Sequence, residues 1–441
     1  MDISDAFAQR VDRGSRGWLL RAASLVAAGA IVTVASAVTA LAAGPEPTAK
    51  EDSVMERPRP QFDPLGIPIG GDADDPGSPF VLLPRLETSL GWESNVFREE
   101  ENTNDDFFIM SEATLELRSE FDEIHAFDIT ARGAIKRYFS ETKNNWEEAE
   151  ILANGLISVS EEVALAGRLG SGYFHEERDD PDSPGASNNV NEYWRHLGFL
   201  STDFTPGDFL FRVEGGAEIF DFEDNGSINN DDRDYDNYVV RTRVGYTLVP
   251  GVTAFVEPEY NWRIYDERFD DNGFERDSEG WSVIGGVTYD LTGVAFLEVG
   301  VGYFEQDYED PSFGDTNGWA AASTLTWNPT DLMTVTGHVS RGVSETTLAG
   351  ISGVVSTVVG VGIDYEITEQ LLLNTLADYN WQDFRGSPRE DDVFRGRAGL
   401  IYLVNEYAET GVSYEYAQRW SNAPMEDFQL HRVMLTLSLQ M

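Results

Sequence analysis

An alternation that begins near Phe80 and holds to Met441 constrains this chain more than any other feature. Segments with an apolar residue at every second position are joined by connections that are by turns short and long. In HRVMLTLSLQM, the last segment, Val433, Leu435, Leu437, Leu439 and Met441 fall on one face and Met434, Thr436, Ser438 and Gln440 on the other. An extended strand does this because successive side chains point to opposite faces. Phe127, Ile129, Ala131, Gly133 and Ile135 alternate likewise with Asp128, Thr130, Arg132 and Lys136, and Phe209, Phe211, Val213 and Ala217 with Arg212, Glu214 and Glu218. Short turns are expected at Asp122–Glu123, Glu161–Glu162, Thr205–Asp208, Pro250–Gly251, Thr292–Gly293, Asn328–Asp331, Thr368–Glu369 and Asn405–Glu406. Long polar loops open near Arg98, Glu141, Glu177, Glu223, Glu267, Glu309, Thr346, Gly386 and Ser421. Those connections give about eighteen strands (16 to 18), with turns on one rim and loops on the other, the signature of a transmembrane antiparallel up-and-down β-barrel.

An all-β sandwich or propeller also has many short strands. The polar face of these strands carries Arg and Glu at mid-strand, which a packed sandwich core would not tolerate unpaired; a wide barrel turns that face to water. Composition agrees. The chain has 41 Gly, 25 Phe, 17 Tyr and 10 Trp, yet only 41% hydrophobic residues and a mean hydropathy of −0.33, too few apolar residues for a conventional core of this size. Much of the net charge of −47 lies in loops: 24 of the 78 acids fall in Arg98 to Asp106, Glu177 to Glu192, Asp221 to Asp236 and Asp266 to Glu279. Aromatics cluster before the long loops (Tyr173 and Phe174, Phe220 and Phe222, Trp262 and Tyr265, Tyr379 and Trp381, Tyr414 and Trp420) and near the turns (Phe121, Phe204, Tyr289, Trp327, Tyr407). Two such sets are expected at the two membrane interfaces.

Three segments follow. Residues 1–42, with Arg10, Arg13, Arg16 and Arg21 before an apolar run that ends in Ala40, Leu41 and Ala42, read as a secretory signal peptide, with an uncleaved anchor as the other reading. Residues 43–79 form a Pro- and Asp-rich periplasmic leader, and residues 80–441 the barrel. The cysteine count is zero, so disulfides, thiol nucleophiles and Cys-bound metals are excluded.

The stretch FDPLGIPIG and the following LPRLETSLGWESNVFREEENTNDDFFIMSEATLEL resemble the putative β-barrel porin 2 family of Gram-negative outer-membrane proteins. The matching elements are Asp63 to Ile67, Asn95 to Phe97 and Asp105 to Phe108. The resemblance implies the cell outer membrane, and for some members an association with exopolysaccharide export. Barrels of this kind usually end in an aromatic residue, whereas this chain ends in Met441.

If the apolar faces meet lipid, the pore is lined by Arg132, Lys136, Arg168, Arg212, Glu214, Glu218, Arg241, Arg243, Glu257, Glu259, Arg263, Arg395, Arg397 and Glu415. Facing rows of opposite charge would set up a transverse field that orients polar solutes; the simpler reading is that these charges pair with one another. The stretch DFEDNGSINNDD fits much of a calcium loop, with Asp221, Glu223, Asn225 and Asp232 as ligands, although Asp stands where a bidentate Glu is usual. Loose binding of Ca2+ or Mg2+ by the acidic loops is the broader expectation, and no other cofactor is expected. His338 and Ser340 echo a His-x-Ser catalytic spacing, but Met333, Val335, Val339 and Val343 take the lipid face, which sends the pair into the lumen. No enzyme is expected. The expected partners are outer-membrane lipids and lipopolysaccharide, the barrel assembly machinery and periplasmic polysaccharide-export proteins, with no nucleic acid. The expected function is a channel for polar solutes, exopolysaccharide among them; the alternative is a non-conducting structural or adhesive barrel that acts through its acidic loops.

Overall fold

The computed structural model describes residues 53–55, 57–69, 80–119, 125–183, 188–226, 228–291 and 294–441. The signal segment, the turns at Asp122–Glu123 and Thr292–Gly293, and Phe121 lie outside the described residues. A three-residue strand, β1 (Ile67–Ile69), precedes β2 (Phe80–Glu93), β3 (Asp106–Ser119), β4 (His125–Tyr138), β5 (Trp146–Ser160), β6 (Val163–His175), β7 (Glu192–Phe204), β8 (Phe209–Phe222) and β9 (Tyr235–Val249). They continue with β10 (Val252–Tyr265), β11 (Ser278–Leu291), β12 (Ala295–Tyr308), β13 (Thr316–Thr330), β14 (Met333–Ser344), β15 (Gly353–Thr368), β16 (Leu371–Arg385), β17 (Glu390–Asn405), β18 (Ala408–Ser421) and β19 (Phe428–Gln440). Each of β2 to β19 pairs antiparallel with its sequence neighbour, and β19 closes onto β2 at Leu435↔Leu90. The barrel therefore has eighteen strands among the described residues, of 12 to 16 residues each, as the alternation predicts. A closed barrel leaves no sheet edge to satisfy in lipid, and one of this strand number leaves an interior wide enough for water.

Burial follows the pattern expected of such a barrel. Large apolar side chains such as Leu86, Leu90, Ile151, Leu200, Val240, Leu435 and Leu437 are exposed, whereas Arg132, Lys136, Arg241 and Glu415, half a period away, are not. Outward aromatics gather at both rims: Phe107, Trp194, Trp262, Trp281, Trp319, Trp381, Tyr414 and Trp420 at the long-loop rim, and Phe204, Phe209, Tyr246, Tyr289, Trp327 and Tyr407 at the short-turn rim. Short turns need little room. At Pro250–Gly251 the glycine has φ +82, and a Cβ there would lie 2.5 Å from the Asp290 carbonyl, so only glycine fits.

The aromatic assignment needs one correction. Phe174, Phe220 and Tyr265 do not belong to the outer girdle. They share the inward face with Tyr193 and Tyr235 and form an arc of touching rings across β6 to β10, with centroid separations of 5.8, 6.2, 4.7 and 5.2 Å. Phe222 lies inward too, 5.0 Å from Tyr193.

Candidate pore lumen and its mouths

Because directly paired residues share a face, the register decides which lumenal charges meet. Arg132 donates from Nε to Glu112 Oε2 at 2.9 Å and from Nη1 to Glu148 Oε2 at 2.8 Å. Lys136 Nζ donates to Glu93 Oε1 at 2.6 Å, and Arg432 Nε reaches the same oxygen at 2.7 Å. Arg98 Nη1 and Tyr138 Oη hold the other Glu93 oxygen at 3.3 and 2.9 Å. Arg241 bridges Glu259 (2.8 Å) and Glu214 (3.0 Å). Arg243 pairs with Glu257 and, through both terminal nitrogens at 3.0 Å, with Glu298. Arg212 donates to Asp203 at 2.6 Å, Arg195 meets Glu218 at 3.2 Å, and Arg397 and Arg432 each reach Glu415 at 3.2 Å. Arg263 pairs with Glu345, and Arg395 with Asp179. Arg168 stands on the same inward face, at Arg168↔Asn154, with no ion pair within 4.0 Å among the described residues.

All fourteen residues expected to line the pore lie on the inward face, and apart from Arg168 each meets an opposite charge, mostly on a nearby strand, with Arg263 and Arg395 paired instead to the loop residues Glu345 and Asp179. The pairing partners Glu93, Glu112, Glu148, Arg195, Asp203, Glu298 and Arg432 were not singled out in the sequence. Their signal was available, since each sits in phase with the polar face of its strand.

Loops fold inward over the long-loop mouth. The Asn95 to Phe97 element is one of them: Asn95, Val96 and Phe97 are 1%, 1% and 8% exposed, and Val96 and Phe97 cluster with Phe108 and Tyr138. Asn95 Nδ2 ties the turn to Glu99 O (2.8 Å) and Gln429 O (3.2 Å). Its conformation explains the motif, with a small amide to close the turn and two apolar side chains to tuck under it.

The connection between β6 and β7 reaches much farther. Arg178 donates to Asn144 Oδ1 at 2.6 Å and lies 5.5 Å from the Phe97 ring. Glu176 accepts from Arg233 at 3.0 Å. Thr346 Oγ1 donates to Asp182 at 2.8 Å. Asp179 takes the Arg395 ion pair on β17, and its carbonyl accepts from Arg419 on β18 at 3.2 Å. A single acidic loop thus rises from β6 and is fastened to β18 and β17, six and seven strands away around the wall by the shorter path. Burial, with Glu176 and Asp182 beside it, pushes the Asp180 carboxyl up to about 8, and burial also raises Asp182. The Arg233 guanidinium is held more strongly protonated by Glu176, against the opposing effect of burial.

The short-turn mouth carries a strap. Val54, fully buried, donates its N–H to Thr334 Oγ1 at 2.8 Å; Ser53 donates to Asp364 at 2.5 Å, and Arg59 meets Glu366 at 3.0 Å. Farther on, Gln440 donates to Phe62 O at 3.2 Å, and β1 pairs with the overhang of β2 at Ile67↔Leu82.

The family model for Putative beta-barrel porin 2 matches residues 59–441. The chain belongs to that family. It is a porin-like barrel of the outer membrane, and the Asp63 to Ile67 element that suggested the family runs into the strand pairing with β2. No curated protein matches the chain in sequence. Among solved structures it is similar to Pseudomonas aeruginosa OpdO, at 14% identity and a TM-score of 0.42, covering 82% of this chain and 97% of that one. Pseudomonas aeruginosa OccK5 (OpdH) gives 12% and 0.41, covering 82% and 98%. The siderophore receptor PirA from Pseudomonas aeruginosa gives 10% and 0.39, covering 80% of each chain.

The proposed calcium ligands do not converge in this member of the family. Asn225 spends its amide as a donor to Asn189 O (2.8 Å), Val190 O (3.2 Å) and Asn191 Oδ1 (3.0 Å), Asp232 accepts from the Asp271 N–H at 2.9 Å, and Asp221 and Glu223 are exposed. Among the described residues no three His, Asp or Glu side chains form a group that could hold a metal ion. His338 faces the lumen and meets Asp378 at 3.2 Å. Val343, assigned to the lipid face, is instead 3% exposed and packs with Phe304 and Ala320.

Proposed function

We propose that this porin-family barrel is a channel for polar solutes, closed at the long-loop mouth by the acidic loop between β6 and β7. The observation that carries the reading is the combination of a continuously charged inward face with a loop that spans the lumen through ion pairs. A mouth closed by charge pairs and hydrogen bonds is one that solvent can reopen, because each lost contact is replaced by water. The high density of acids at that mouth favours cations over anions and would hold Ca2+ or Mg2+ loosely.

Exopolysaccharide export is the narrower version. The inward arc of Phe174, Tyr193, Phe220, Tyr235 and Tyr265 supports it: sugar rings stack on aromatic faces while paired Arg and Glu offer donors and acceptors to hydroxyls. Outer-membrane insertion by the assembly machinery and contact with periplasmic polysaccharide-export proteins go with that reading. A non-conducting structural barrel is favoured by one observation, the presence of closures at both mouths.

Planar-bilayer recording separates the two. The full chain should show rare openings, and a variant in which residues 179–190 are replaced by a short Gly-Ser turn should raise mean conductance about ten-fold, because the constriction sets the current. Silence from both proteins, folded by heat-modifiable migration, would leave the structural barrel standing.

A further inference from the structure

Register gives most lumenal arginines an acid directly across the ladder. Arg132 stands opposite Glu150, Arg212 opposite Asp203, Arg397 opposite Glu415, and Arg241 between Glu214 and Glu259. Arg168 departs from this rule, with Asn154 opposite it on β5 and Phe199 on β7. The next inward positions are Leu152 and Leu156 on β5, Leu197 and Ser201 on β7, and Ala166 and Gly170 on its own strand. No acid therefore lies directly or diagonally across from it, where side chains of paired strands meet. The inward acids one step farther out are engaged elsewhere: Asp128 accepts from Asn154 at 3.0 Å, Glu218 meets Arg195 at 3.2 Å, and Glu150 faces Arg132. The side chains of Arg241, Arg132 and Arg397 are only 4%, 10% and 11% exposed, whereas Arg168, beside the small Ala166 and Gly170, is open to lumenal water.

That guanidinium looks onto open space. Arg168 lies five residues above the short-turn end of β6 at Val163, and His338 five residues above that of β14 at Met333. β14 is eight of the eighteen strands away from β6, close to the far side of the lumen. Around His338 the inward face is built from Ala322, Thr324, Thr336, Ser340, Gly360 and Gly362, side chains too short to reach across a barrel of this size. Above this level the interior is filled. Val343 and Val355 pack with Phe255, Ile284, Phe304 and Ala320, and Arg276, fully buried, fastens the β14–β15 loop through the carbonyls of Thr346, Ile351 and Leu348 at 2.5, 2.7 and 3.1 Å. A free cation thus faces water at mid-height, below a mouth crowded with acids.

We propose that Arg168 holds a carboxylate group of the solute inside the barrel, a role that rests on the channel reading above. A guanidinium fork matches the two oxygens of a carboxylate, and one already open to water gives up no internal partner when the solute arrives. Asp128, Glu150 and Glu218 stand one step beyond its immediate neighbours, and they repel a doubly ionised phosphate about twice as strongly as a singly charged carboxylate. Phe199, directly across the ladder, offers an apolar face for the carbon skeleton beside the fork.

Phenylglyoxal, which modifies guanidiniums, tests this on the full-length protein folded in detergent, with the modified residues located by mass spectrometry. Arg168 should react well ahead of Arg132 and Arg241. D-glucuronate should slow it about three-fold, the slowing expected when about two-thirds of the sites are filled. D-glucose, with a hydroxymethyl group in place of the carboxylate, should leave the rate unchanged. Neither sugar should affect Arg268, whose side chain is 73% exposed in an outer loop. Equal slowing by glucose, no slowing by glucuronate, or stronger slowing by glucose 6-phosphate would overturn the proposal. In planar bilayers Arg168→Gln should raise the potassium-to-chloride permeability ratio of the openings about two-fold, because a lumenal cation has been removed, and Arg168→Lys should keep the wild-type ratio. An unchanged ratio in Arg168→Gln would also overturn it. Wild-type protein that never opens, while glucuronate still protects Arg168, would remove the channel and leave the binding site.

Discussion

At the long-loop mouth, five loops and two strands are tied together through the carboxylates of Glu176, Asp179 and Asp182, the carbonyls of the β14–β15 loop and the tucked Val96 and Phe97. At the short-turn mouth, one strap of some fifteen residues crosses from β14 and β15 to β2 and rests on a few contacts, Val54 to Thr334, Ser53 to Asp364 and Arg59 to Glu366. The difference lies in what holds each closure. The outer one is built from charges that have been taken out of water, so its stability depends on pH and on every partner being present. The inner one is peripheral and adds little to the stability of the wall, so it can be released without disturbing the barrel.

The largest effect should come from Glu93, which is fully buried between Arg432, Lys136 and Arg98. Glu93→Gln leaves Lys136 and Arg98 without their counter-charge and Arg432 with Glu415 alone, and loss of one member of a buried ion network costs about 3–5 kcal/mol. The urea midpoint of the heat-modifiable barrel should fall accordingly; an unchanged midpoint would show that this cluster is solvated.

Next comes pH. The raised acid of Asp180 faces Glu176 and Asp182, with Arg233 opposing them and Arg419 nearby. An acid whose value rises from about 4 in water to about 8 on closure binds more protons in the closed state across that interval. The contribution of Asp180 to closure is therefore fully present below about pH 4 and is lost as pH rises through about 8. Open probability should climb between pH 5 and pH 8, and Asp180→Asn should flatten the climb while remaining closed at high pH. A variant with the wild-type profile would place the sensor elsewhere.

The smallest effect belongs to the strap. Arg59 and Glu366 are partly exposed, so Arg59→Gln should cost no more than about 1 kcal/mol and leave the urea midpoint in place. Its readout is local: chymotrypsin should cut after Phe62 sooner than in the wild-type protein, and identical cleavage rates would mean that this pair does not hold the strap.

The barrel itself was legible because a period of two and the alternation of turn and loop lengths are local properties. Strand number, inward charge and outer-membrane location followed from them. What the sequence did not show depended on register and on three-dimensional closure. Arg241 could be assigned to the lumen from its neighbours, but its contacts with Glu259 and Glu214 required knowing which residues sit opposite. Phe174, Phe220 and Tyr265 were misassigned because near a strand end both faces carry aromatics, and period two does not say which face is inward. Val343 was misplaced because the β14–β15 hairpin leans inward only under the pull of Arg276 and Arg263, far away in sequence. The spacing of Asp221 to Asp232 is also reshaped by closure, as Asn225 turns back to bridge Ile228 and its amide donates to Asn191 in the connection from β6.

The central claim is that the acidic loop crosses the lumen to β17. Because the chain has zero cysteines, Asp179→Cys/Arg395→Cys introduces the only two thiols, and a short homobifunctional maleimide can report whether they are adjacent. The account predicts an intramolecular cross-link in the folded protein in bilayers, together with loss of the residual channel openings. Two singly attached reagent molecules by mass instead of one bridge, with openings unchanged, would show that the loop lies outside the pore and would contradict the account.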